Sequence, residues 1–170
     1  LPRSQIRGYS IDISNSENVA AFAKTASLEI GTPDLIILSA GMCYSKLFID
    51  DSEDSFESLM KTNVFGSRSF VKAFLPNMQK RRSGQICFVS SLAGIIPVYG
   101  YSTYSASKFA LIGLAGALRQ ELTEYNIGVS VLCPPEVDTP LIAEEAKSIL
   151  PQTRFLKDVG GTLDVKTVTK

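Results

Sequence analysis

The sequence predicts an α/β protein built on a parallel sheet, and two observations carry that expectation. Short apolar runs alternate with longer helical patterns along the chain. The run "DLIILSAG", Asp34 to Gly41, is too continuously apolar for a strand with one wet face.

Taken in order, "IRGYSID" (Ile6 to Asp12) reads as a strand, and Ser14 or Ser16 then caps a helix running to about Glu29. Gly31-Thr32-Pro33 breaks that helix before the buried strand "DLIILSAG". "SEDSFESLMKTNVFGSRSFVKAFLPNMQKRR" is helical with a kink or break near Asn63, and Ser83-Gly84 ends it. "QICFVSS" is the next strand and "TYSASKFALIGLAGALRQELTEY" the next helix. "IGVSVLCPP" follows as a strand closed by prolines. "LIAEEAKSIL" reads as an amphipathic lid or a plain surface helix, and "TLDVKTVTK" as the start of another helix. This rhythm, joined by right-handed crossovers, is that of a Rossmann-like doubly wound parallel sheet with helices on both faces. Such a fold opens with a strand, a Gly-rich turn and a helix, yet no G-x-G-x-x-G is present. Residues 1–170 are therefore expected to form a single, incomplete domain lacking the N-terminal βα phosphate-binding unit.

Composition narrows the functions. The chain is 45% hydrophobic and 20% charged, as in an ordinary globular domain. Seventeen basic residues balance seventeen acidic ones, so no whole-chain field draws nucleic acid or anionic lipid. Cys43, Cys87 and Cys133 are widely spaced in apolar runs, which favours reduced, buried thiols and an intracellular home. With no Cys-x-x-Cys pair and no histidine, no metal site is expected. The absence of histidine also excludes Ser-His-Asp and Cys-His chemistry. The catalyst must come from Tyr, Lys, Ser, Asn or carboxylates.

Tyr104 is the only tyrosine followed four residues later by a lysine, Lys108. In a helix that spacing puts both on one face. An ammonium beside a phenol favours the phenolate, so the pair can exchange a proton with a carbonyl oxygen. The same pair can arise by chance, and context decides. Ser91 ends the strand "QICFVSS", where ligands of open α/β sheets bind, although it also reads as a turn or N-cap serine. Ala40 and Gly41 end another strand with residues small enough for a flat ligand to approach. Asn63 lies at the helical break, and Thr139, in "CPPEVDTP", offers a hydroxyl to a carboxamide or phosphate. All fall at one predicted sheet edge.

"S-S-x-A-G-x(9)-Y-S-A-S-K", with "T-N-V" upstream and "P-P-x-x-D-T-P" downstream, resembles the short-chain dehydrogenase/reductase family over essentially the whole chain. The resemblance implies a catalytic set of Asn63, Ser91, Tyr104 and Lys108, with Ser90 as an alternative serine. It implies that Asp12 touches an adenine ring and that Pro134, Val137 and Thr139 lie beside a nicotinamide, with Ala40, Gly41, Tyr104 and Lys108 also at the cofactor. The family's "N-N-A-G" is "L-S-A-G" here, so Leu38 or Ser39 replaces an asparagine that usually braces the sheet. The piece "PPEVDTPLIAEEAKSILPQTR" is similar to family members that reduce a long-chain keto lipid of sphingolipid metabolism with NADPH. That implies the cytosolic face of the endoplasmic reticulum membrane, reached through segments outside this chain; otherwise the location is cytoplasmic. The alternatives are a relative acting on another apolar ketone or alcohol, such as a steroid or retinoid, and a non-catalytic Rossmann-type interaction protein. The small-residue stripe Ala106, Ala110, Gly113 and Ala117 predicts a homodimer through that helix face.

Overall fold

The computed structural model describes residues 6–168. Helix α1 (Ser16–Ile30) is capped by Asn15, whose side chain accepts from the backbone N–H groups of Glu17 and Asn18 at 2.9 and 3.1 Å. Ser14, one of the two expected caps, bonds Asp12 instead. Gly31, at φ 82°, ends α1 in a conformation that favours glycine. Ile6 to Asp12, expected as a strand, joins no ladder, because no described strand lies beside it. A strand exists through its neighbours' hydrogen bonds, and no ladder partner stands beside it among the described residues.

The central sheet contains β1 (Leu35–Leu38), β2 (Gly84–Val89) and β3 (Ile127–Leu132), all parallel and in that spatial order. Ile36 pairs with Ile86, and Ile86 with Val129. Each step along the sheet moves the same way, so right-handed crossovers put every connecting helix on one face. Accordingly α1, α3 (Ser67–Arg81) and α4 (Ser102–Glu121) share a core with Ile36, Leu38, Ile86, Phe88, Ile127 and Val129. Helices on the second face would need strands added in the opposite direction, and none is found among the described residues. Leu35 and Ile37 are consequently 50% and 60% exposed, so β1 alternates rather than being buried on both sides as its apolar run suggested.

The long helix expected around Asn63 is interrupted there. Helix α2 (Glu53–Met60) passes into a π-helical stretch, Lys61–Gly66, before α3 begins. A π turn widens the backbone and re-aims side chains, and such turns concentrate at functional sites. The basic run at the end of α3 is structural: Arg81 donates to the carbonyls of Thr32 and Pro33 and pairs with Asp34. Arg82 closes the helix at φ 55°. Helix α4 buries Tyr104, Ser107, Lys108, Leu111 and Ala115, while Ala106, Gly113 and Ala117 are exposed and Ala110 is half-buried.

Beyond β3 the chain forms β4 (Glu136–Val137), α5 (Pro140–Glu145) and α6 (Pro151–Gly160). It then forms β5 (Thr162–Leu163), parallel to β4, and α7 (Val165–Val168). Helix α6 is tied down by Thr153, whose hydroxyl donates to the Tyr99 carbonyl at 2.8 Å and lies 3.0 Å from Ser45 Oγ. Gly100, at φ 74°, leaves room for both hydroxyls: a Cβ there would stand 2.7 Å from Thr153 Oγ1 and 2.8 Å from Ser45 Oγ.

Candidate active site

The carboxyl ends of β1, β2 and β3, the start of α4 and the segment through α5 and α6 enclose a cavity of about 160 Å³. Its position follows from the parallel sheet, which gathers the strand-end loops at one edge. Gly41, Ser91, Tyr104, Lys108, Pro134, Val137 and Thr139 all line it.

Tyr104 and Lys108 are buried, and the Lys108 ammonium lies 5.5 Å from the Tyr104 ring centroid. Lys108 Nζ donates to the Val89 carbonyl at 3.0 Å. Burial pushes the lysine down to about 8. The phenol, expected from the sequence to be lowered by the ammonium, is raised instead. Burial dominates, and the Ser91 side chain offsets part of the rise. The cavity is drier than the i,i+4 argument allowed for.

The two serines separate. Ser90 is buried and donates to the Lys108 carbonyl at 2.9 Å, clamping the end of β2 to α4. Gly94 permits this closeness, since a Cβ there would stand 2.5 Å from Ser90 Oγ. Ser91 Oγ accepts the Ala93 N–H at 3.2 Å, the capping role its position suggested, while its side chain also interacts with the Tyr104 phenol. Asn63, in the π stretch and 1% exposed, accepts the Met42 N–H at 2.7 Å. Its amide donates to the Met42 carbonyl and to Ser107 Oγ, each at 3.0 Å. The Asn63 backbone carbonyl accepts from the Ser67 hydroxyl.

Two expected cofactor contacts lie outside the cavity lining. Asp12 spends its carboxylate on the backbone and hydroxyl of Ser14, which hold it below the usual carboxylate range. Ala40 is exposed at the rim, next to lining residues Ser39 and Gly41. The nicotinamide end of the expected cofactor fits what is present. A Cβ at Gly41 would stand 3.2 Å from Asn63 Oδ1 and 3.7 Å from Lys108 Nζ, so glycine keeps a flat approach open there.

Sequence reasoning missed a second cluster on the cavity wall. Lys157 Nζ bridges Glu136 and Glu145, the latter at 2.7 Å, and the Tyr101 hydroxyl donates to Glu145. Glu145 is 2% exposed, and burial pushes it up to about 7. One signal was available: Glu145 falls four residues after Leu141, on the face of α5 that turns inward. Its partners, Tyr101 just before α4 and Lys157 on α6, are not legible at any helical spacing. Cys43 also lines the cavity, its thiol pushed up by burial, and all three cysteines are free and partly buried.

Comparison with known proteins follows this geometry. The short chain dehydrogenase family model matches residues 2–149. A 3-dehydrosphinganine reductase from Danio rerio is 39% identical over 162 residues, covering 95% of this chain and 49% of the relative. A 3-ketodihydrosphingosine reductase from Bos taurus is 40% identical, over 94% of this chain and 47% of the relative. The chain thus spans about half the length of the curated relatives it matches. Among solved structures, a short-chain dehydrogenase from Streptomyces avermitilis superposes with a TM-score of 0.75 at 30% identity, over 78% of this chain and 49% of that one. A gluconate 5-dehydrogenase from Burkholderia cenocepacia in complex with NADP and tartrate shares the fold, with a TM-score of 0.74 at 22% identity over 76% of this chain and 51% of that one.

Proposed function

Since the chain belongs to the short-chain dehydrogenase family, we propose that it carries the reactive site of an NADPH-dependent reductase that converts 3-ketodihydrosphingosine to dihydrosphingosine. The observation that carries this reading is the meeting of Ser91, Tyr104 and Lys108 around one buried cavity, in a chain about 40% identical to 3-ketodihydrosphingosine reductases.

The nicotinamide, when bound, supplies a hydride to the keto carbon. Tyr104 gives its proton to the carbonyl oxygen; a phenol raised by burial is protonated at neutral pH and enters the reaction as the acid. Ser91 holds the same oxygen by hydrogen bonding. Lys108 keeps a positive charge beside the phenol as it loses its proton, and its ammonium serves the ribose hydroxyls. Asn63 is a positioning residue through Met42 and Ser107, and it would help relay protons to Lys108 through a water chain. Pro134, Val137 and Thr139 would hold the nicotinamide, and Ala40 and Gly41 would hold the neighbouring part of the cofactor. Asp12 would hold the adenine once its carboxylate released Ser14.

The cavity of about 160 Å³ falls short of the roughly 300–1,000 Å³ that encloses a drug-sized ligand, so the substrate's alkyl chain extends beyond it. The exposed small-residue face of α4 fits a two-fold homodimer. The relatives' substrate points to the cytosolic face of the endoplasmic reticulum, though no described helix is long and apolar enough to cross a membrane. The test is reduction of 3-ketodihydrosphingosine by the intact protein, with NADPH and NADH compared. Product formed faster with NADPH supports the reading; no turnover with either nucleotide overturns it.

A further inference from the structure

The ketone of the proposed reaction carries an amine on the carbon next to its carbonyl, and when protonated that amine is a cation beside the reacting atoms. The carboxylates lining the cavity are Glu136 and Glu145. We propose that Glu145 is the specificity-determining residue that receives the substrate's ammonium group, an inference that rests on the reaction proposed above.

Position comes first. The Tyr101 hydroxyl donates to Glu145, and the Tyr101 ring packs edge-on against Tyr104 with centroids 5.3 Å apart. Glu145 therefore stands one aromatic ring from the proton donor.

Charge balance comes second. Within ion-pair distance one ammonium, Lys157, serves two carboxylates, Glu136 and Glu145. Arg154 acts on Glu145 only from farther away. Glu145 uses one oxygen for Tyr101 and the other for Lys157, and an ionised carboxylate has about four acceptor positions. It is short of positive charge rather than saturated with it. Burial raises its pKa to about 7, and an arriving cation would hold it ionised.

The rest of the substrate also finds a place. A second cavity, lined by Leu92, Ala93, Val98 and Leu156, shares Ser91, Tyr101, Pro135, Glu136 and Lys157 with the first. With the carbonyl oxygen between Ser91 and Tyr104, the amino side of the ketone meets Glu145. The alkyl side has an apolar path toward Leu156.

The experiment compares kcat/KM of the intact protein for 3-ketodihydrosphingosine and for its analogue with hydrogen in place of the amine, in wild type and Glu145→Gln. Wild type should prefer the amino ketone. Glu145→Gln should lose about 10–100-fold on it, mostly in KM, the scale of a charge-assisted hydrogen bond, while turnover of the analogue stays close to wild type. Equal losses on both ketones would mean that Glu145 only fastens α5 to α4 and α6, and would overturn the proposal. Wild type that reduces both ketones equally well overturns it without any variant. If wild type reduces neither ketone with NADPH or NADH, the proposed reaction fails and this inference falls with it.

Discussion

Replacing Gly94 with alanine tests whether the clamp between β2 and α4 holds the site together. A Cβ at Gly94 would stand 2.5 Å from Ser90 Oγ, 2.9 Å from the Lys108 carbonyl oxygen and 3.0 Å from its carbon. Two of those atoms are helix backbone and cannot swing aside. Either Ser90 rotates and loses its 2.9 Å bond to Lys108, or the Lys108 turn of α4 moves outward. A lost buried hydrogen bond costs about 1–3 kcal/mol, and overpacking costs a similar amount. With partial relaxation a net loss of about 3 kcal/mol follows, or roughly 6–12 °C in Tm for a domain of this size. The moved turn carries Lys108, so kcat/KM should fall more than the stability loss alone would cause at assay temperature. Gly116→Ala is the control. It lies inside α4 with no atom within 4 Å of its Cβ position, and it should gain about 0.5–1 kcal/mol from helix propensity. Thermal melts followed by circular dichroism, with steady-state reductase assays at a temperature where both variants are folded, make the comparison. A Gly94→Ala protein that melts with wild type, or that matches Gly116→Ala, would refute the clamp.

Tyr104→Phe keeps the ring contact with Tyr101 but removes the proton, so kcat should fall by about 10²–10⁴ with little change in Tm; near-normal turnover would sink the acid role. Lys108 titrates at about 8 when folded and near 10.5 when unfolded, so between those values the unfolded chain holds the extra proton and stability rises with pH. Denaturant titrations across that window should give a steeper rise for wild type than for Lys108→Met, and parallel curves would count against the buried-ammonium assignment. Ala110→Arg or Gly113→Glu, on the exposed face of α4, should convert dimer to monomer in sedimentation velocity; an unchanged species, or a monomeric wild type, would remove the dimer proposal.

Local physics was legible without coordinates. Apolar runs announced β1, β2 and β3, and the i,i+4 spacing put Tyr104 and Lys108 on the buried face of α4. The break at Asn63 was readable because Asn, Val and Gly neighbours interrupt a good helix, but its π form was not. Asn15 rather than Ser14 or Ser16 caps α1, because all three are chemically able and backbone direction chooses among them. Ile6 to Asp12 has strand-like residues and no strand, since a ladder depends on a neighbour and not on propensity. Burial reversed the expected direction of the Tyr104 shift, for desolvation depends on everything that packs around a phenol. Glu145 on α5, Lys157 on α6 and Tyr101 just before α4 come from three separate segments, so only tertiary packing could bring their polar groups together. Sequence determined which side chains share a turn of helix, because that geometry is local. Tertiary structure decided which groups lose water and which partners they then meet, because both depend on segments far apart in the chain.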